Sequence, residues 1–125
     1  TDCHVILRGG TRGPNHDADA VLGAVTAVEK VGLPGLVMVD ASHANSGKSH
    51  ERQAEVVGEL ARRIGDGETG LSGVMIESFL EPGAQPVDAD ELVYGKSVTD
   101  ACMGWDATVE GLRALAAGVR AGRRG

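Results

Sequence analysis

Three short apolar runs, separated by segments with helical periodicity, constrain the fold of this chain more than any other feature. The predicted strands span 3–10 (CHVILRGG, ending at Arg8), 36–42 (LVMVDAS) and 71–78 (LSGVMIES). Nearly continuous apolar runs are typical of buried strands that are covered on both faces. Because strands that alternate with helices build a parallel sheet through right-handed crossovers, we predict an α/β fold with parallel strands.

The segments between and after the strands carry apolar residues at helical spacing. A first helix is predicted to start near Asp17 or Asp19, either of which can cap it, and to stop at Gly32 and Pro34. Its apolar stripe comprises Val21, Leu22, Val25 and Val28. Further helices are predicted over about 50–64 and 106–120, with a long loop over 79–99. The predicted order is therefore β-α-β-α-β-loop-α.

The composition restricts the class of partner. The 125 residues suit one domain, to which we assign residues 1–125 as a whole, and the 42% of apolar residues allow a real core. A net charge of −6 argues against nucleic acid, whose phosphates demand a basic surface. No apolar run approaches the ~18–20 residues of a membrane span, so we expect no membrane partner. Cys3 and Cys102 lack the spacing of a disulfide framework, which favours a reduced, cytoplasmic setting.

Each predicted strand ends at or near a residue whose side chain can bind a ligand or take part in catalysis. The first ends at Arg8, the second runs into His43, and the third reaches Glu77, while Asp100 lies on the last connection before the final helix. Because the carboxyl ends of parallel strands lie at one edge of a sheet, these side chains could converge there. One nitrogen and two carboxylates, from His43, Glu77 and Asp100, make a plausible site for a divalent metal. The forked donors of Arg8 suit a neighbouring phosphate or carboxylate.

Each of these residues also has a simpler interpretation. His43 could be a hydrogen-bonded loop residue, Glu77 could mark the turn out of a strand, and Asp100 could cap a helix. Arg8 could pair with Asp40 in a structural role. A solvated face is predicted to include Lys48, Glu51 and Arg52. Position along the chain therefore indicates a site without naming a reaction.

Four motifs in order carry a resemblance to a known family. They are CHVILRGG followed by GPNHDA, then VMVDASHANSGK, GVMIESFLEPGAQ and LVYGKSVTDACMGWDAT. Together they resemble the C-terminal part of class I 3-deoxy-arabino-heptulosonate 7-phosphate (DAHP) synthase, over essentially the whole chain. The resemblance implies the last three βα units of a TIM (β/α)₈ barrel. It also implies condensation of phosphoenolpyruvate with erythrose 4-phosphate, at the start of the shikimate pathway to aromatic amino acids.

The resemblance implies roles for particular residues. His43, Glu77 and Asp100 are similar to three ligands of the family's divalent metal, which could be Mn, Fe, Co or Zn. Arg8 resembles an arginine that binds the phosphate of phosphoenolpyruvate. His43 also lies close to that substrate in the family, so it is the expected catalytic residue. The metal would polarise the aldehyde oxygen of erythrose 4-phosphate.

Part of the family's site would lie upstream of this sequence. The resemblance places a fourth ligand, a cysteine, and most of the substrate-binding lysines and arginines on earlier strands, and neither Cys3 nor Cys102 is a convincing substitute. Three strands cannot close a barrel, so an exposed sheet edge and a partner are expected. The partner would be the remaining barrel half or further copies of the chain, unless the sequence is an excerpt. Besides the enzyme, the alternatives are a non-catalytic interaction or regulatory module for a full-length synthase, and a non-functional truncation.

Overall fold

The computed structural model describes residues 4–124 and has an α/β architecture. Its elements, in chain order, are β1 (Val5–Leu7), α1 (Ala18–Lys30), β2 (Val37–Asp40), α2 (His43–Ser46), α3 (His50–Gly65), β3 (Leu71–Met75) and α4 (Trp105–Gly122). Cys3, which was weighed as a metal ligand, lies outside the described residues. No helix within the described part of the chain is long and apolar enough to cross a membrane.

The three strands form one parallel sheet in the order β1-β2-β3, as the alternating pattern predicted. Val5 pairs with Val37 and Leu7 with Val39, while Asp40, the last residue of β2, pairs with Met75, the last residue of β3. The carboxyl ends of the three strands therefore lie at one edge of the sheet, and the loops that follow them share that edge.

The prediction that all three strands are buried is confirmed for β2 and wrong for β1, and β3 is only partly buried. Val5 and Ile6 are 39% and 44% exposed, whereas Val37 and Val39 of β2 are fully buried. Within residues 4–124 no strand pairs with the outer edge of β1, so its side chains lack the neighbours that cover β2. The exposed edge expected for a three-stranded sheet is therefore present.

The core forms where α1 and α3 pack against β2. Its buried members are Val21 of α1, Val37, Val39 and Ala41 of the β2 region, and Val56, Val57 and Leu60 of α3. Leu22, assigned to the apolar stripe of α1, is instead 62% exposed, because its neighbour Val21 occupies the buried position. Helix periodicity thus located the helix and its buried face correctly through Val21, Val25 and Val28, and was wrong only in adding Leu22 to that face.

The helix ends are set by local hydrogen bonds. Asp17 caps α1 by accepting a hydrogen bond from the Ala20 N–H at 2.9 Å, as one of the two alternatives predicted. Ser49 caps α3 in the same way, through the Arg52 N–H. Helix α4 begins after Gly104, so the alternative interpretation of Asp100 as a helix cap is wrong.

Helices α3 and α4 pack with their backbones in close approach. A Cβ atom built at Gly118 of α4 would lie 2.2 Å from the carbonyl oxygen of Ala61 in α3. Such a distance is far below van der Waals contact, so only glycine fits this crossing point. The crossing fixes α4 against α3 and thereby holds the segment that precedes α4.

Candidate metal centre

The structure brings His43, Glu77 and Asp100 together, as the strand ends predicted. One ligand atom from each residue lies within 4.8 Å of the others, and all three residues are partly buried. His43 Nε2 is 3.7 Å from Glu77 Oε1. Their convergence is a finding, and their role as metal ligands stays a prediction.

His43 is oriented by a buried carboxylate. Its Nδ1 lies 2.7 Å from Asp40 Oδ2, and Asp40 is only 2% exposed. The other oxygen of Asp40 accepts hydrogen bonds from the backbone N–H and the hydroxyl of Ser42. A carboxylate can only accept, so we infer that the Nδ1–H of His43 donates to Asp40, which leaves Nε2, the nitrogen that faces Glu77, available to a metal. This carboxylate–histidine pairing is the usual way in which proteins orient a metal-binding imidazole.

The backbone at His43 is unusual. Its φ is +48°, which is uncommon for a residue other than glycine. His43 is also the first residue of α2, a four-residue helix that the sequence did not predict. Left-handed backbone at such a position costs of order 1–3 kcal/mol, and the bond to Asp40 helps to hold it. The simpler interpretation of His43 as a hydrogen-bonded loop residue is thus only partly right. The residue is hydrogen-bonded, but it also lies near two carboxylates, those of Glu77 and Asp100.

Glu77 lies two residues beyond the end of β3. Its carbonyl oxygen accepts a hydrogen bond from the backbone N–H of Met103 at 2.9 Å, and Phe79 N–H donates to the Met103 carbonyl at 2.9 Å. The chain near Glu77 is therefore tied to the segment that follows Asp100. The side chain of Gln53 in α3 also bonds to the Glu77 backbone.

Asp100 has a cationic neighbour that the sequence did not indicate. Lys48 Nζ lies 3.0 Å from Asp100 Oδ1 and 3.3 Å from Oδ2. The Lys48 side chain is 65% exposed, as expected for a solvated face, so the pair contributes little to stability. The pair instead places the positive charge of Lys48 against the carboxylate of Asp100, which is one of the proposed metal ligands.

Arg8 follows β1 at the same edge of the sheet. It is exposed, and within residues 4–124 it makes no ion pair, so the alternative pairing with Asp40 does not form. The turn after Arg8 is held by Asn45, whose side-chain N–H groups donate to the Leu7 and Asp40 carbonyls. The Arg8 guanidinium is therefore available for an anion, while its backbone is anchored beside α2.

A second amide side chain completes this anchor. Asn15 Oδ1 accepts from the Gly9 N–H at 2.6 Å, and the Asn15 N–H donates to Asn45 Oδ1 at 2.8 Å. Gly9 has a φ of +73°, and a Cβ there would lie 2.8 Å from the Ala44 Cβ. Glycine is thus required where the turn after Arg8 packs on α2.

The donor chemistry of the three residues fits a divalent metal. Two ligand atoms that each lie about 2.0–2.2 Å from one ion are at most about 4.4 Å apart, and the separation of 3.7 Å between His43 Nε2 and Glu77 Oε1 satisfies that limit. An imidazole nitrogen with two carboxylates suits several first-row metals. Cys102 is not part of the group, and its Sγ lies 3.6 Å from the Asp100 carbonyl oxygen.

Sequence reasoning missed the residues that hold the site in place. The orienting role of Asp40 and the roles of Asn45, Gln53 and Lys48 emerge only from the structure. Gln53 did carry a signal, since it is a polar residue at helical spacing with the buried Val56 and Leu60.

The comparisons with known proteins concern nearly the whole chain. The family model described as the DAHP synthetase I family matches residues 1–113. The chain is 52% identical over 128 residues to a phospho-2-dehydro-3-deoxyheptonate aldolase of Corynebacterium glutamicum, covering 96% of this chain and 34% of that protein. It is 48% identical over 125 residues to the Phe-sensitive enzyme of that name from Escherichia coli K12, covering 99% of this chain and 35% of that protein.

A solved structure has the same fold over the matched region. The structure of a phospho-2-dehydro-3-deoxyheptonate aldolase from Francisella tularensis superposes with a TM-score of 0.91 at 40% sequence identity. The match covers 96% of this chain and 35% of that protein. The chain thus spans about a third of the length of the proteins that it matches.

Proposed function

This chain belongs to the DAHP synthetase I family, and on that premise we propose that it forms the C-terminal section of a DAHP synthase. The proposed enzyme is a (β/α)₈ barrel, of which residues 1–125 supply the last three βα units. It condenses phosphoenolpyruvate with erythrose 4-phosphate in the cytoplasm, at the entry to aromatic amino acid biosynthesis. The observation that carries this proposal is the convergence of His43, Glu77 and Asp100 at the carboxyl edge of a parallel sheet.

A divalent metal, Mn, Fe, Co or Zn, would be held by His43, Glu77 and Asp100, and would supply Lewis-acid polarisation of a substrate oxygen. The hydrogen bond to Asp40 would keep the proton of His43 on Nδ1, so that Nε2 can donate its lone pair to the metal. The Arg8 guanidinium would donate two parallel hydrogen bonds to the phosphate of phosphoenolpyruvate. His43 would contact the same substrate, as the resemblance to the family implies.

Two anionic substrates need more positive charge than this chain provides at the site. The cations identified above at this edge of the sheet are Arg8 and Lys48, and Lys48 already faces Asp100. Bringing two phosphorylated molecules into contact requires cationic groups around both. We therefore propose that the remaining barrel half supplies further cations and one more metal ligand, either on the same chain or on another.

The first experiment is a turnover assay in two formats. DAHP formation from phosphoenolpyruvate and erythrose 4-phosphate is measured with Mn²⁺, with a chelator as control, for the 125-residue chain and for a full-length protein that carries it. We expect metal-dependent turnover of the full-length protein only. Absence of turnover there would refute the proposed activity, whereas turnover by the short chain would refute the need for further barrel residues.

The ligand assignment has a direct test. Glu77→Ala and Asp100→Ala should each weaken Mn²⁺ binding in calorimetry of the full-length protein, because each removes a carboxylate donor. Asp88→Ala, an exposed carboxylate in the loop before Asp100, serves as the matched control. Unchanged Mn²⁺ affinity in either ligand variant would remove that residue from the proposed set.

The alternative function is a non-catalytic module that binds a full-length synthase. The side chains of Val5 and Ile6 are exposed along the unpaired edge of β1, which favours association of this chain with another protein chain. If this alternative holds, the 125-residue chain should form a discrete complex with the synthase in size-exclusion chromatography and change its activity. No complex at micromolar concentrations would refute it.

A further inference from the structure

Gln53 is a buried carboxamide in an apolar layer. It lies on the buried face of α3 with Val56, Val57 and Leu60, and it is 1% exposed. Burying an amide without hydrogen bonds is destabilising. The residue therefore needs partners inside the protein, and their identity indicates what it does.

Both ends of the Gln53 amide bond to the backbone of Glu77. The Glu77 N–H donates to Gln53 Oε1 at 2.6 Å, and Gln53 Nε2 donates to the Glu77 carbonyl at 3.3 Å. The two residues are 24 positions apart in the chain. Gln53 thus gives the backbone of Glu77 the pair of hydrogen bonds that a neighbouring strand would otherwise supply.

Glu77 needs such a partner because the sheet no longer holds it. The pairing of β2 with β3 ends at Met75, whose carbonyl accepts from the Ala41 N–H at 2.9 Å. Beyond that point β2 turns away into Ser42 and α2. The Glu77 carbonyl is shared between Gln53 and the Met103 N–H, but in the described residues its N–H is bonded by Gln53 alone.

The position of this backbone decides where the Glu77 carboxylate lies. Its Oε1 is 3.7 Å from His43 Nε2, close to the limit of about 4.4 Å for two ligands of one ion. A shift of about 1 Å in the Glu77 backbone, directed away from His43, would take the oxygen beyond that limit. A residue in α3 that holds this backbone can therefore affect the site without reaching it.

We propose that Gln53 is a positioning residue for the metal centre, which fixes the Glu77 backbone so that the Glu77 carboxylate faces His43. The proposal rests on the proposed function in one respect, namely that His43, Glu77 and Asp100 bind a metal. It goes beyond the proposed function because a residue of α3, Gln53, would raise metal affinity through the two hydrogen bonds of its buried side chain.

The test compares Gln53→Met with Val57→Ala in the full-length protein that carries this chain. Gln53→Met keeps the side-chain length and removes both hydrogen bonds. Val57→Ala is the control, since Val57 is fully buried on the same helix and its truncation destabilises the core without removing a side-chain hydrogen bond to Glu77. Mn²⁺ affinity is measured by calorimetry, and the thermal unfolding midpoint is measured for each variant without metal.

We expect both variants to unfold at lower temperature than the wild type. Gln53→Met should also bind Mn²⁺ roughly 10–100-fold more weakly, as is usual when the support of a metal ligand is lost. Val57→Ala should bind Mn²⁺ with nearly wild-type affinity. Equal Mn²⁺ affinities for the two variants would overturn the proposal, because the effect of Gln53 would then be purely structural.

Two further measurements keep the outcomes separate. If Gln53→Met does not fold, Gln53→Asn replaces it, since this shorter amide stays polar but no longer reaches Glu77. Its Mn²⁺ affinity should fall, and wild-type affinity in that variant would overturn the proposal. If the wild-type protein itself does not bind Mn²⁺, the metal centre of the proposed function fails, whereas normal wild-type binding with an unaffected Gln53 variant refutes only the positioning role.

Discussion

Replacing Asp40 by Asn should weaken metal binding by changing which nitrogen of His43 carries its proton. In the structure Asp40 Oδ1 accepts two hydrogen bonds from Ser42, and Oδ2 accepts the His43 Nδ1–H at 2.7 Å. The amide of Asn has one acceptor and one donor group. Its oxygen must stay with Ser42, because a buried N–H left unpaired costs about 1–3 kcal/mol. The amide nitrogen then faces His43.

The imidazole must respond to this donor. A neutral His43 would place its lone pair on Nδ1 to accept from the new amide, and the proton would move to Nε2. A protonated Nε2 cannot bind a metal. Loss of a supporting carboxylate typically costs 10–100-fold in metal affinity, which is about 1.4–2.7 kcal/mol. We expect Mn²⁺ affinity in Asp40→Asn to fall within this range.

Calorimetric titration of the full-length protein with Mn²⁺ is the assay, and Asp88→Asn is the control, since Asp88 is an exposed carboxylate in the loop before Asp100. Histidine nitrogen shifts in ¹⁵N NMR spectra of the metal-free protein would report the tautomer directly. Wild-type Mn²⁺ affinity in Asp40→Asn, together with an Nε2-protonated His43, would refute the reasoning, since the tautomer would then not control binding.

Three further predictions concern residues around the site and the core. Arg8→Ala should weaken phosphoenolpyruvate binding about 10-fold or more in calorimetry while sparing Mn²⁺ affinity, and unchanged phosphoenolpyruvate binding would remove its assigned role. Gly118→Ala should lower the free energy of unfolding by about 1–3 kcal/mol in urea, because its Cβ would overlap the Ala61 carbonyl. Asp17→Ala should cost about 0.5–2 kcal/mol at pH 7. The hydrogen bond from the Ala20 N–H holds the pKa of Asp17 below its ordinary value, so this stabilisation is present above that value and should disappear as the pH falls through the lowered pKa. A deficit that stays constant down to about pH 2 would contradict this cause.

The sequence predicted best what depends on local pattern. Helix α3, expected over about 50–64, spans His50–Gly65, because its apolar spacing is regular and Ser49 supplies a cap. The strands were located correctly but predicted too long, at 36–42 against Val37–Asp40 for β2. For β2 the predicted strand ran on through Ala41 and Ser42, where the chain already turns into α2, so the sequence pattern alone overestimates strand length.

The convergence of the site was predictable, and the contacts that fix it were not. Parallel strands place their carboxyl ends together, which brought His43, Glu77 and Asp100 to one edge without knowledge of any contact. The Lys48–Asp100 pair joins residues 52 positions apart, and no periodic pattern encodes such a contact. Helix α2 was missed because four residues carry too little periodicity and its first residue has a positive φ.

The hydrogen bonds of Asn45 have a consequence for how the site fluctuates. They join the end of β1, the end of β2 and the Asn15 backbone, and Asn15 in turn holds the Gly9 N–H. Native-state hydrogen exchange should therefore give the amides of Gly9 and Asn15 a common opening free energy, because they are released by one event. We expect the turn that carries Arg8 and the short helix that carries His43 to open as a single cooperative unit. The anion-binding arginine and the metal-binding histidine of the proposed site would then be released together.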